Sequence, residues 1–75
     1  MVLPITEHME VVGSDGAHVG TVEHIEDRNV IRLTKDDPES GGEHHYIPLS
    51  WVVHAEMKVH LKLSGVEAKT RWLNH

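Results

Sequence analysis

The residues of this chain best equipped for chemistry are its eight histidines, two of them adjacent: His44 and His45 in "GGEHHYIPLSWV". An imidazole takes up a proton near neutral pH or lends a lone pair to a metal, so the pair raises both possibilities. On a regular strand, successive side chains point to opposite faces, and neighbouring histidines cannot grip one ion together. A strand would need His-x-His and a helix His-x-x-x-His; neither spacing occurs among the eight. His45 therefore shares a face with Ile47 and Leu49 at the mouth of the apolar side, and His44 shares an outward face with Tyr46. A metal or small-ligand site would have to assemble from separate segments, for example Glu43, His44 and His60. We assign no metal ligand and no cofactor. Surface charge nevertheless depends on pH, because protonating all eight histidines would move the net charge from −5 to +3.

Nucleophilic catalysis finds little support. The chain has no cysteine, no G-x-S-x-G elbow and no glycine loop for phosphate. Ser14, Ser40, Ser50 and Ser64 all fall where turns or caps account for them, and Glu23 beside His24 reads as an ordinary surface pair. The expectation is a non-catalytic protein. With 7 basic and 12 acidic side chains, the domain repels phosphate backbones, so nucleic acid is not an expected partner. "MVLPITEH" lacks a basic leader, and no run approaches the roughly 18 apolar residues of a membrane span. A cytoplasmic location without membrane insertion is expected.

These residues must be positioned by one domain, 1–75, because 75 residues leave room for one small core. Residues 8–12 alternate as a strand and end at "GSDG", where Asp15-Gly16 signals a tight turn. "AHVGTVEHIE" resumes as a strand bent at Gly20. A turn at Asp27–Asn29 leads to "VIRLTK", with Ile31 and Leu33 on one face. The eight-residue loop "DDPESGGE" precedes "HYIPLSWV", whose Pro48 marks an edge or bulge, and Ser50 is placed to cap a helical turn. "VVHAE" and "KVHLKL" form two more strands around Met57.

Ser64-x-x-Glu67 is a capping box, and it predicts a helix over 64–75. Glu67 and Arg71 are spaced for an ion pair, and Val66, Thr70 and Leu73 share a stripe. Trp51 is expected in the core. Trp72 and Leu73, near the chain end, are candidates for contact with a protein partner or a second copy, together with outward-facing His44 and Tyr46. The pattern is mostly β: about six short strands that form a small barrel over 8–63, then a short C-terminal helix.

The order of these parts resembles the PRC-barrel group, named for the photosynthetic reaction centre H subunit, which also includes the C-terminal domain of a ribosome maturation factor. The shared features are the Asp15-Gly16 turn, the Gly20-Thr21-Val22 strand and Ile47-Pro48-Leu49-Ser50. "GSDGAHVGTV" with "TKDDPESGGEHHYIPLSWV" is similar to a family of short stand-alone bacterial proteins of unknown function related to that barrel. The resemblance implies a docking surface for proteins, or self-association, rather than catalysis. A His-rich metal- or small-ligand-binding protein is the alternative.

Overall fold

The computed structural model describes residues 5–26 and 29–74. Of the expected turn at Asp27–Asn29, only Asn29 falls within them. Alternating apolar residues build strands β1 (Glu10–Val12), β2 (His18–Glu26), β3 (Val30–Leu33), β4 (His45–Pro48), β5 (Val52–Ala55) and β6 (Val59–Leu61). A helix, α1 (Gly65–Arg71), follows, and a two-residue strand, β7 (Leu73–Asn74), ends the described chain. The protein is mostly β, as its patterning predicts. The strands form one mixed sheet in the order β5-β6-β1-β2-β3-β4-β7. All pairings are antiparallel except β1 with β6. Among the described residues, no ladder joins the end strands β5 and β7, so the sheet is open where a barrel would close.

Strand β2 holds the sheet together because its two halves have different partners. Its first half pairs with β1 and its second with β3, and the register shifts between Val22 and His24. Its inward residues Val19 and Val22 meet Val11, Ile31, Leu33, Ile47, Val59 and Leu61, with Ala55 and Ala68 completing the core. Trp51 packs against this cluster half-buried. The expected Asp15-Gly16 turn is present, with Gly16 at φ +83. Gly13 is needed for proximity instead: a Cβ there would lie 2.3 Å from the Gly65 nitrogen. That approach lets Asp15 Oδ1 accept from the Gly65 N–H at 3.1 Å and fasten the turn to the start of α1.

Four local expectations need correction. The helical turn after β4 is a 3-10 turn over Leu49–Trp51, entered from Pro48 without a side-chain cap, so Ser50 sits inside it. The capping box forms as expected, with Ser64 Oγ accepting from the Glu67 N–H and Glu67 Oε1 accepting from the Ser64 N–H. Glu67 is thereby turned back on the helix start and forms no ion pair with Arg71 among the described residues. The helix also stops at Arg71 rather than running to the chain end. Trp72 takes extended backbone angles, and Leu73 pairs with Tyr46 on the open edge of β4. The predicted stripe fails as well: Leu73 lies beyond the helix, Val66 is 75% exposed, and it is Gly65 and Ala68 that α1 buries.

Candidate functional site

The outer side of β1 and β2 carries a polar cluster that fixes the long loop. Glu10 lies on β1 and His18 and Thr21 on β2; antiparallel pairing sets Glu10 opposite Thr21 and Val12 opposite His18. His18 is held by both ring nitrogens, with Nδ1 2.8 Å from Glu10 Oε2 and Nε2 2.7 Å from Asp37 Oδ2. Thr21 Oγ1 donates to the same Asp37 oxygen at 2.6 Å. The other oxygen, Asp37 Oδ1, accepts from the Glu39 N–H at 2.8 Å, capping the 3-10 turn Pro38–Ser40. Asp37 is 7% exposed, so its charge has little water and depends on these donors.

The electrostatics follow from this geometry. Partial burial pushes the His18 pKa down, but hydrogen bonds to Glu10 and Asp37 and the charges of both carboxylates outweigh it, and the net shift is upward. Burial raises Asp37, yet donation from Thr21, the Glu39 N–H and His18 takes it below the ordinary carboxylate range. Glu10 is lowered by His18 and then by Lys58, whose Nζ is 3.1 Å away. The hydrogen bond from Lys69 lowers Glu39 and links the loop to α1. An imidazole with both nitrogens on carboxylates is a charged tie between β1, β2 and the loop, and it has no nitrogen left to act as a base.

The two adjacent histidines do face opposite ways. His44 lies over β3 beside Arg32, whose Nη2 is 3.1 Å from His44 Nε2. With Arg32 donating there, the ring proton belongs on Nδ1, 3.2 Å from the Leu33 carbonyl and 3.3 Å from Glu23 Oε1. Arg32 also contacts Glu23 Oε1 at 2.8 Å, an ion pair without hydrogen-bond alignment, and donates to Glu26 Oε1 at 3.2 Å. His24 Nε2 lies 3.1 Å from the same Glu26 oxygen. His45 is buried at 5% exposure, 2.7 Å through Nε2 from the Ser40 carbonyl, and stacks on Trp72 with ring centroids 3.8 Å apart.

Trp72 is therefore half-buried against the core, whereas Leu73 is 59% exposed on β7. Tyr46 is half-buried on β4, in register with Arg32 and Leu73. Glu43, His44 and His60 do not come together: His44 belongs to the Arg32 group, while His60 stacks on His54 across β5 and β6. Among the described residues, no group of three or more His, Cys, Asp or Glu could hold a metal. No helix there is long and apolar enough to cross a membrane.

Residues 5–69 match a family described as an uncharacterized protein conserved in bacteria (DUF2171). The chain belongs to the DUF2171 family. A search of curated proteins found no match. The matched span of this DUF2171 chain includes the whole Glu10-His18-Thr21-Asp37 cluster, the Arg32-His44 group and the β5–β6 hairpin, and it ends before Trp72 and Leu73. Sequence reading missed Glu10, His18 and Asp37 as a unit. One signal was available: Asp37-Pro38 has the cap-then-proline order of a helical turn start, which orients the carboxylate.

Proposed function

We propose that this DUF2171 chain is a cytoplasmic, non-catalytic interaction module, related to the PRC-barrel group, that associates with a second copy of itself along β5. One observation carries the reading: among the described residues, β5 ends the sheet and pairs only with β6, and apolar residues stand exposed at that edge. Val53 is 59% exposed and Met57, at the hairpin tip, 89%. An edge strand offers unpaired backbone groups to another strand, and two copies of one edge can pair about a two-fold axis. A 75-residue chain with a small core also gains from burying such residues in an assembly.

This places the contact at the opposite end of the sheet from Trp72, whose ring is engaged with His45. Sedimentation equilibrium tests it. The wild type is expected to reach dimer mass, and Val53→Lys, which puts a charge at the centre of the paired edge, to return it to a monomer with an unchanged far-ultraviolet spectrum. A wild type that stays monomeric at high concentration would end this reading.

A further inference from the structure

The same hairpin holds a second feature that needs only one chain. Ala55 and Val59 are opposite each other and buried, as is Leu61. Alternation then turns His54 and His60, the next opposed pair, to the outer face. His54 is exposed and His60 half-exposed, and their rings stack with centroids 4.3 Å apart at 28°. Their spacing in sequence matches no metal motif; pairing of the two strands creates the juxtaposition.

The other histidines of the sheet differ. His18, His24, His44 and His45 each have a ring nitrogen on a carboxylate, an arginine or a carbonyl oxygen. Among the described residues, neither His54 nor His60 has such a bond, and they contact each other instead. Directly opposed residues of an antiparallel pair hold their Cβ atoms about 4.5–5.5 Å apart. From there, two imidazoles can each set a nitrogen about 2.0–2.1 Å from one ion. We propose that His54 and His60 form a two-imidazole site for a late first-row divalent ion, Zn²⁺, Ni²⁺ or Cu²⁺, with water completing its coordination. Imidazole ligands select these ions over Mg²⁺ and Ca²⁺, which require oxygen.

Nearby charge sets the strength. Lys58 is paired with Glu10, leaving exposed Lys62, two residues from His60 on the same outward row, as the opposing cation. Binding would tie β5 to β6 and stabilise the folded hairpin, since the unfolded chain does not hold the two rings together.

Substoichiometric Ni²⁺ added to isotope-labelled protein should broaden amide resonances of residues 52–61 before any others. In Zn²⁺ calorimetry, His54→Asn and His60→Asn should each weaken binding at least about tenfold, His44→Asn should leave it unchanged, and Mg²⁺ should give no heat of binding. Lys62→Glu, which keeps both ligands, should tighten it several-fold. Equal affinity in the His54→Asn/His60→Asn double variant, broadening that starts at residues 44–45, or indifference to Lys62→Glu would overturn the site. The site needs only one chain, so a wild type that stays monomeric should still bind Zn²⁺ through the same two rings, and failure of self-association leaves this outcome readable.

Discussion

Two histidine-bearing regions sit at different places on one sheet and are built on opposite principles. Around β2, His18 is closed in by Glu10 and Asp37, and each of these carboxylates has a further partner in Lys58 or Thr21. On the β5–β6 hairpin, His54 and His60 have only each other among the described residues, and β5 is an end strand of the sheet. The first arrangement holds a loop in place and leaves no group for a visitor. The second holds nothing in place and leaves both a strand edge and two imidazoles accessible. Histidine content therefore says little about function until each ring's partners are known.

Asp37 is where this contrast breaks most sharply. Asp37→Ala removes the acceptor for His18, Thr21 and the Glu39 N–H together, on a site with little water. A loss of about 2–3 kcal/mol is expected, within the range for hydrogen bonds to a charged group left unmade. His54→Ala, by contrast, should change stability by less than about 0.5 kcal/mol, as exposed substitutions usually do. Urea melts of the two variants provide the comparison. Equal losses would mean that the His18 cluster is no firmer than the hairpin.

The pH response comes next in size. His18 has a raised pKa in the folded protein, so its contribution is fully present below its ordinary value of 6.5 and is lost as pH rises through the folded value. Glu10 and Asp37 have lowered values, so theirs is present above the ordinary carboxylate range and is lost as pH falls through their folded values. Stability from the cluster should therefore peak between roughly pH 4.5 and 6.5 and decline toward alkaline pH. His18→Asn should flatten the alkaline decline, and thermal melts across that range would show it. A decline that persists unchanged in His18→Asn would assign it to another group.

Much of this was legible in the chain, and the reasons are local. Inside-outside alternation in "KVHLKL" and "VIRL" marked strands, and Ser64-x-x-Glu67 marked the start of the helix, because such signals act within a few residues. The end of the helix was not legible: Trp72 leaves it to stack on His45, far away in sequence, and Leu73 pairs with β4. The opposed faces of His44 and His45 followed from strand geometry alone. The His18 bridge and the His54-His60 stack depend on register, on which residue of one strand lies beside which of another, and periodicity does not encode that. Closure of the sheet is non-local in the same way.

The smallest expected effect separates two explanations of why the loop stays put. Lys69 on α1 reaches Glu39 on the loop, so the helix is a second candidate anchor beside β2. Both side chains of that pair are substantially exposed, 31% for Lys69 and 49% for Glu39, and exposed pairs hold their geometry weakly against water and salt. Asp37, by contrast, is buried and carries three donors. Lys69→Met should therefore leave the melting midpoint within experimental error, and amide exchange over residues 35–42 should match that of the wild type. Asp37→Ala should accelerate exchange throughout that segment. If Lys69→Met speeds exchange there as much as Asp37→Ala does, the loop hangs from the helix, and the contrast between a locked β2 and an open hairpin loses its basis.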